Sequence, residues 1–376
     1  MLPSLHLFFP ENDIALAHNI ERYTPPIAAV KLRRAGATLP LWYGTSGDMV
    51  VLQGVNSRWL ETIKSKFDIG VDIFNHQPEG MAAAPWGWSK SSRQVYFDLG
   101  FDKSQLPDDN MLDTIRALSH RRTAAEVARR LSAYLDFEVA PPAQELADQQ
   151  QVKEFVDSQP NGVVVKMPWS SSGRGVFYTD TKQIDSQLSM FVGMIKRQKS
   201  VMGEPKMKKK IDFAMLFTMS GGICRFDGYS LFNTANLGSY TGNILAPQKW
   251  IEDTIANALP IGQLDAVKRS LPLIIQEEAR GYTGPLGVDM MVVENDAYSL
   301  APVVEINFRM TMGHVCRIVY DCHIVDGRRG TFRVLNNTPE TPSGIVAVDT
   351  LNGRIDHGTI DLAQPGSDFS FRIDIE

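Results

Sequence analysis

The sequence predicts an α/β fold over its N-terminal third and an α+β mixture of strands and helices over the remainder. In the first third, short apolar runs alternate with segments whose apolar residues recur at helical spacing. This pattern is typical of a mostly parallel sheet covered by helices. Further along, pairs of longer apolar segments flank short turns rich in Gly, Asn or Asp, which indicates antiparallel hairpins.

The N-terminal third begins with the apolar run 5–9, which ends at Pro10 and predicts the first strand. Thr24 followed by Pro25 predicts a helix N-cap, because proline is favoured at the first helical position. The segment 78–92 is expected to be a loop in which Ser89 caps the next helix. Further strands are expected at residues 38–43, 49–52 and 71–74, and helices at residues 24–35 and 59–67.

The remainder of the chain predicts helices and hairpins. Asp109 is expected to cap a helix that ends at Leu118, and Thr123 with Glu126 has the S/T-x-x-E pattern of a capping box. After Gly327 only short strands are expected. Helices are expected at residues 109–118, 123–135, 185–197 and 263–279, and strands at residues 162–167, 176–179, 213–219, 223–232, 287–293 and 299–306.

Composition limits the classes of function. The chain has 376 residues, 43% hydrophobic and 22% charged, which excludes a mainly disordered chain, a collagen-like fibre and a coiled coil. The formal net charge of -5 argues against nucleic acid or an anionic membrane as the main partner. Three cysteines are too few for a disulfide scaffold, and no apolar run reaches the ~18 residues that span a bilayer. We therefore expect a cytoplasmic protein.

A run of small residues between two predicted strands is the strongest local motif. Such a loop exposes consecutive backbone N–H groups beside hydroxyl groups, which suits phosphate oxygens. Lys166 ends the incoming strand and is placed to point at the same phosphates as a compact cation. The alternative is an ordinary Gly/Ser turn with an exposed lysine. The loop consists of Ser170, Ser171, Ser172, Gly173, Arg174 and Gly175.

A second motif consists of Asp289 on one strand of a predicted hairpin and Glu305 with Asn307 on the other. Glu305 and Asn307 are two residues apart on a strand, so their side chains share a face. A hairpin that turns at residues 294–300 would bring Asp289 beside Glu305. Two carboxylates and an amide oxygen form the kind of hard oxygen site that suits Mg²⁺. The alternative is a set of solvent-facing polar residues on a half-exposed strand.

Taken in this order, the two motifs and the α/β region before them resemble the ATP-grasp superfamily of ATP-dependent carboxylate–amine ligases, such as D-alanine–D-alanine ligase and glutathione synthetase. The resemblance covers residues 119–312. It implies an ATP-grasp fold in three parts. These are an N-terminal, Rossmann-like pre-ATP-grasp domain at residues 1–118, a small ATP-binding subdomain or lid at residues 119–205, and a large subdomain with the Mg²⁺ site at residues 206–376.

The resemblance also implies residue roles. Lys166 resembles the lysine that binds the ATP phosphates and residues 170–175 resemble the loop that closes over them. Glu204 and Asp212 resemble the acidic pair that binds adenine and ribose. Arg309 resembles a cation that stabilises charge on the transferred phosphate or acyl oxygen. Where the family has a second lysine, this chain has Arg121 and Arg122, and the sequence does not choose between them. Asp289, Glu305 and Asn307 resemble the Mg²⁺ ligands.

The implied activity is a Mg-ATP-dependent ligation in which ATP converts a carboxylate into an acyl phosphate that an amine, or a thiol, then attacks. Small-molecule or peptide-like carboxylates and amines would be its substrates, and a homodimer is compatible with the resemblance. A phosphotransferase that leaves a stable phosphorylated product is one alternative. A non-catalytic ATP-binding module is another, against which the complete set of metal ligands argues.

Substrate residues are expected after the first predicted strand, because ligands bind open α/β sheets at the carboxyl ends of strands. A carboxylate at Glu11 or Asp13 would hold a substrate ammonium group, and Trp86 with Trp88 would form an apolar wall. The alternatives are that Asp13 caps a short helix and that both tryptophans are packing residues.

Two other clusters favour structural roles. His314, Cys316, Cys322 and His323 lack the spacing of a metal site, and on a helix the first two point apart, so core thiols and hydrogen-bonded histidines are expected. The basic residues within 196–210 are expected to be a solvated helix end and loop.

Overall fold

The computed structural model describes residues 2–75, 77–170, 173–235, 239–294, 298–338 and 341–376. Within these residues it contains one parallel and two antiparallel sheets with helices packed against them. This confirms the predicted fold class, α/β at the N-terminus and α+β beyond it. Among the described residues, no helix is both long enough and apolar enough to cross a membrane.

The N-terminal sheet has four parallel strands in the order β3-β2-β1-β4. Its apolar strand residues, such as Leu5 and Val50, are fully buried. This burial explains why short apolar runs in the sequence predicted these strands. The strands are β1 (Ser4–Leu7), β2 (Met49–Val50), β3 (Asp72–Ile73) and β4 (Ala82–Pro85). The helices are α1 (Asn12–His18), α2 (Ile27–Gly36), α3 (Pro40–Tyr43), α4 (Ser57–Phe67) and α5 (Lys90–Asp98), followed by a 3-10 turn at Lys103–Gln105.

Two N-terminal predictions were wrong. Residues 38–43 were expected to form a strand, but Pro40 opens the short helix α3, whose apolar residues 40–42 are buried. An apolar run alone does not distinguish a buried strand from a buried helix turn. The expected loop 78–92 contains β4, because its backbone pairs with β1 although its alanines carry little strand propensity.

Helix starts were also displaced by one to three residues. Helix α2 begins after Pro26, with no side-chain cap from Thr24. Asp108, rather than Asp109, caps the next helix by accepting from the Met111 N–H at 2.8 Å. The expected capping box of Thr123 does not form, because the helix that contains it begins at Arg121 and is capped by the His120 ring. Ser89 caps α5 as predicted.

The second sheet is antiparallel and has the order β5-β8-β6-β7. Its core consists of aliphatic side chains such as Val163 and Val165 with Phe191. The preceding helices are α6 (Asp109–Leu118) and α7 (Arg121–Ser132). The sheet and its helices comprise β5 (Gln144–Leu146), α8 (Gln149–Asp157), β6 (Val163–Lys166), β7 (Val176–Thr179), α9 (Ile184–Gln198) and β8 (Val201–Pro205).

The third sheet has nine strands in the order β13-β12-β9-β10-β11-β14-β17-β16-β15. Both predicted hairpins are present as the antiparallel pairs β9–β10 and β12–β13. The strands are β9 (Lys209–Ser220), β10 (Ile223–Thr234), β11 (Tyr240–Leu245), β12 (Gly284–Glu294), β13 (Tyr298–Asn307), β14 (Gly330–Asn336), β15 (Val346–Leu351), β16 (Arg354–Asp361) and β17 (Phe369–Ile375). The helices are α10 (Gln248–Ala256), α11 (Gln263–Glu278) and α12 (Met312–His323).

The C-terminal strands pack against the N-terminal sheet. Phe371 on β17 is fully buried, and its ring centroid lies 6.1 Å from that of Phe8. The Thr38 hydroxyl donates to the Leu362 carbonyl at 2.7 Å across the same contact. One hydrophobic cluster therefore contains residues from both ends of the chain.

Candidate active site

Asp289, Glu305 and Asn307 come together on the β12–β13 hairpin. Asp289 is directly opposite Glu305 in the antiparallel register, and Gly287 is opposite Asn307. The Asn307 Nδ2 donates to the Asp289 Oδ2 at 3.1 Å, so the amide and the first carboxylate share one face. The hairpin and the side-chain proximity predicted from the sequence are thus observed. The metal-binding role of the three residues stays a prediction.

This acidic pair carries more negative charge than its surroundings favour. Burial raises the pKa of Asp289 to about 7, together with the neighbouring charges of Glu305 and Asp212, although Arg309 and the Asn307 amide oppose the rise. Two carboxylates this close repel one another, which raises the pKa of Asp289, and a bound cation would oppose that rise. Their oxygens and that of Asn307 match the donors that Mg²⁺ prefers.

Arg309 follows β13 and lies against the N-terminal sheet. Its Nε donates to Asp13 Oδ1 and Oδ2 at 2.9 and 3.0 Å, and its Nη2 donates to Asp13 Oδ2 at 2.6 Å. The same Nη2 donates to Asn307 Oδ1 at 2.7 Å. Burial lowers the pKa of Arg309, but the charges of Asp13, Glu305 and Asp289 outweigh burial and raise it. Arg309 therefore stays charged beside the acidic pair.

Arg121 connects the acidic pair to the small-residue loop. Its Nη1 lies 2.8 Å from Glu305 Oε2, its Nε donates to the Met167 carbonyl at 3.0 Å, and its Nη2 donates to the Ser170 hydroxyl at 3.1 Å. Its side chain is only 6% exposed. The neighbouring Arg122 is exposed and pairs with Glu145 at 3.2 Å. The structure thus places Arg121, and not Arg122, in the site.

Lys166 and Glu204 form a buried ion pair at 2.7 Å between neighbouring strands β6 and β8. Their side chains are 10% and 8% exposed, so Lys166 is not the exposed lysine of the alternative interpretation. Desolvation makes such a pair costly unless both charges are satisfied. The phosphate-binding role of Lys166 stays a prediction.

The described ends of the small-residue loop lie close together. The Met167 N–H donates to the Gly175 carbonyl at 2.8 Å. A Cβ at Gly175 would come within 2.6 Å of the Ser170 hydroxyl, so only glycine fits here. Gly173 has a φ of +74°, and Arg174 is exposed. Ser171 and Ser172, also predicted to bind phosphate, lie outside the described residues.

Trp169 holds the start of this loop in place, a role that the sequence alone did not indicate. Its Nε1 donates to the Arg116 carbonyl at 2.9 Å, and the Arg116 guanidinium lies 4.0 Å from the ring centroid. The His120 ring packs edge-on with centroids 4.5 Å apart. The Gln198 side chain pairs with both backbone groups of Trp169 at 3.1 and 3.3 Å. A tryptophan beside a run of serines was the available signal.

Asp212 is buried on β9 close enough to the acidic pair to raise the pKa of Asp289. Its Oδ2 accepts from the Thr234 hydroxyl at 2.7 Å and lies 2.6 Å from the Lys209 Nζ. Lys209 was assigned only to a solvated basic run, and two other members of that run also have partners. Lys208 pairs with Glu294 at 3.1 Å, and Lys206 lies over the Tyr178 ring.

The N-terminal loop is in the site, but its charges are already paired. Glu11 is 1% exposed and accepts from Arg33 at 2.6 Å, and burial raises its pKa. Asp13 binds Arg309, and it does not cap α1, whose N-cap is Glu11 without a side-chain bond. The neighbouring Asn12, whose burial the sequence did not indicate, is 1% exposed.

The two tryptophans differ. Trp86 is 4% exposed and packs edge-on against Phe8, with ring centroids 4.9 Å apart. It is a core residue and gives no support to a role as a pocket wall. Trp88 is half-buried against Tyr96, with centroids 5.6 Å apart.

The histidines of α12 are hydrogen-bonded. His314 Nδ1 lies 2.9 Å from the Thr311 hydroxyl in a capping box, and His323 Nε2 lies 3.0 Å from the Trp42 carbonyl. Cys316 is buried and Cys322 is exposed. Within the described ranges, no three His, Cys, Asp or Glu side chains are grouped to hold an ion.

No model of a known protein family matches the sequence, and no curated protein matches it. Solved structures do match. The biotin carboxylase of Campylobacter jejuni, in a β,γ-ATP complex, is 12% identical with a TM-score of 0.55 over 99% of this chain and 87% of that chain.

A second match is the biotin carboxylase domain dimer of the Hydrogenobacter thermophilus 2-oxoglutarate carboxylase, in complex with MgADP, ADP and bicarbonate. It is 10% identical with a TM-score of 0.54 over 99% of this chain and 86% of that chain. The Staphylococcus aureus N5-carboxyaminoimidazole synthetase with ADP has a TM-score of 0.45 at 12% identity over 78% and 83% of the two chains. The two biotin carboxylase structures, with TM-scores of 0.55 and 0.54, show that the chain shares their fold, which is the ATP-grasp fold that its two motifs indicated.

Proposed function

We propose that this protein is a Mg-ATP-dependent ligase that joins a carboxylate to an amine through an acyl phosphate. The observation that carries the proposal is the half-buried pair of Asp289 and Glu305, with the pKa of Asp289 raised to about 7. Arg121 and Arg309 offset part of this repulsion, and a divalent cation bound between the two carboxylates would offset more of it. The adenine nucleotides in the two carboxylase structures, and the bicarbonate in one, support the same interpretation.

Asp289, Glu305 and Asn307 would hold Mg²⁺, since their oxygens match its preferred donors. When bound, the ion would neutralise charge on the transferring phosphate. Lys166 and Arg121 would bind the phosphates of ATP. Arg121 already contacts the loop through Ser170, and Lys166 lies at the end of β6, which leads into the loop. Glu204 and Asp212 would bind adenine and ribose, as the resemblance implies.

The reaction would proceed in two displacements. A carboxylate oxygen of the substrate attacks the γ-phosphorus, and ADP leaves. The amine nitrogen then attacks the acyl carbon, and phosphate leaves. Arg309 would stabilise the charge that develops on the acyl or phosphoryl oxygen. The loop would exclude water that would otherwise hydrolyse the acyl phosphate.

The test is an assay of ADP, inorganic phosphate and condensed product against a panel of carboxylates and amines. A ligase forms the three in equal amounts. A stable phosphorylated substrate without free phosphate would instead show a phosphotransferase, and nucleotide binding without any turnover of ATP would show a binding module.

A further inference from the structure

We propose that Asp13 is a positioning residue for Arg309, so that a side chain of the N-terminal sheet sets the geometry of the reacting centre on β13. This inference rests on the proposed function, in which Arg309 acts on a reacting oxygen. It differs from the role expected for Asp13 in the sequence, which was to bind a substrate ammonium group.

The contact between Asp13 and Arg309 is a two-pronged ion pair. Three donor–acceptor distances of 2.6 to 3.0 Å join the guanidinium to both carboxylate oxygens. The two side chains are 13% and 14% exposed, so water screens the pair little. Bidentate pairs of this kind restrict orientation as well as adding energy. Both Asp13 oxygens accept from Arg309, so the charge of the carboxylate is already balanced by a guanidinium before any amine could bind.

Asp13 also determines which donors of Arg309 remain. Guanidinium has five N–H donors. Its Nε and Nη2 serve Asp13 and Asn307, and one Nη1 donor serves the Met310 carbonyl at 3.1 Å. Within the described part of the chain, this leaves the second Nη1 donor for a ligand. A single, oriented donor suits one developing oxyanion.

The contact extends to the predicted metal ligands. Arg309 donates to Asn307 Oδ1 at 2.7 Å, and Asn307 Nδ2 donates to Asp289 at 3.1 Å. Asp289 and Glu305 also attract Arg309 electrostatically. Without the charge of Asp13, these two carboxylates would compete for the guanidinium, which would then occupy the place of the cation.

The backbone holds the two regions together independently of Asp13. The Met310 N–H donates to the Trp86 carbonyl at 2.8 Å. Gly87 permits this close approach, because a Cβ there would come within 2.8 Å of the Arg309 Cβ and 2.6 Å of the Asn12 Nδ2. Removing the charge of Asp13 should therefore disturb Arg309 without separating the N-terminal sheet from β13.

The experiment compares Asp13→Asn, Arg309→Ala and the double variant with the wild type. ADP release from Mg-ATP, with the carboxylate and amine pair that turns over fastest in the panel assay, measures turnover, and calorimetry with the Mg²⁺ complex of adenylyl imidodiphosphate measures binding. Asp98→Asn is the matched control, because Asp98 is an exposed N-terminal carboxylate that pairs with Arg22. Thermal unfolding checks that each variant is folded.

In Asp13→Asn we expect the kcat for ADP release to fall about 10- to 100-fold, as is typical when a reacting group is misplaced. The KM for ATP and the Kd of the analogue should stay within about twofold, because ground-state binding is retained. The double variant should be no slower than Arg309→Ala alone, since Asp13 acts through Arg309. A wild-type rate in Asp13→Asn, or an undiminished effect in the Arg309→Ala background, would overturn the proposal.

A crystal structure of Asp13→Asn separates this inference from the proposed function. The Arg309 guanidinium should be displaced toward Asp289 or Glu305, whereas an unmoved guanidinium would refute the positioning role. If the wild type neither binds the analogue nor releases ADP, the proposed function fails. The crystal structure of Asp13→Asn then still shows whether Asp13 positions Arg309.

Discussion

At the scale of single residues, the buried pair of Lys166 and Glu204 means that a substitution of Lys166 affects stability as well as nucleotide binding. Lys166→Ala should weaken binding of the Mg²⁺–ATP analogue, but it also leaves Glu204 buried without a partner. Loss of one member of a buried pair costs about 3 to 5 kcal/mol. We therefore expect the single variant to be clearly destabilised in urea unfolding.

The double variant Lys166→Ala/Glu204→Gln is the control for that effect, since it removes the stranded charge. It should recover much of the stability and none of the affinity in calorimetry. If the single variant binds the nucleotide as tightly as the wild type, Lys166 does not contact phosphate.

The acidic pair gives a second prediction at this scale. Asp289→Asn and Glu305→Gln should reduce turnover about 100-fold or more, because a metal contributes several kcal/mol to the transition state and 1.36 kcal/mol is tenfold in rate. Nucleotide binding should fall less. Glu294→Gln is the matched control on the same hairpin, where Glu294 pairs with the exposed Lys208.

Turnover is measured as ADP release, and metal occupancy as Mn²⁺ binding by electron paramagnetic resonance. Full Mn²⁺ affinity in both acidic-pair variants would contradict the assignment of the metal site.

At the scale of elements, the start of α7 predicts a pH dependence of stability. His120 is almost fully buried and caps the helix through its ring. Burial lowers its pKa to about 3, and the charges of Arg122, Arg116 and Arg121 contribute to the decrease. The His120 ring is therefore protonated below about pH 6.5 in the unfolded chain, whereas in the folded chain it stays neutral down to about pH 3.

It follows that the free energy of unfolding falls as the pH drops from about 6.5 toward 3, by at most about 1.4 kcal/mol per pH unit for this group. His120→Asn keeps a helix cap and removes the titrating ring, so its stability should depend less on pH between 6.5 and 5. Urea unfolding at several pH values measures this, with the exposed His18→Asn as control. An unchanged slope in His120→Asn would show that the ring is protonated in the folded protein.

At the scale of the whole molecule, we propose the division into residues 1–118, 119–205 and 206–376. The second and third sheets fall within the last two segments. One hydrophobic core extends across the boundary at residues 118/119, because Phe371 packs in the same cluster as residues of the N-terminal segment. The N-terminal segment and the C-terminal strands should therefore unfold together.

Phe371→Ala should cost about 3 to 5 kcal/mol, as is usual for a fully buried aromatic residue. It should also lower hydrogen-exchange protection at Leu5 and Leu7, which are far away in sequence and in the same cluster. Phe97→Ala, at a side chain with 45% exposure, is the control. Unchanged protection at β1 would show that the two ends of the chain are independent.

The sequence by itself determined the fold class, the two hairpins and the facing positions of Asp289 and Glu305, because strand alternation and turn residues are local and specify register. It also identified Lys166 with its loop. Its errors were local too. Pro40 opens a helix turn, and the alanines of β4 form a strand. Burial and pairing with β1, rather than local propensity, determine the secondary structure of these two segments.

Only the tertiary structure decided which charges satisfy one another. Asp13 and Arg309 are 296 positions apart in sequence, and Arg121 and Glu305 are paired across different elements. Nothing in local propensity indicates these pairings. They arise because buried charges must find partners wherever the packed elements place them. For the same reason Glu11 binds Arg33, and Trp86 is a core residue where the sequence suggested a pocket wall.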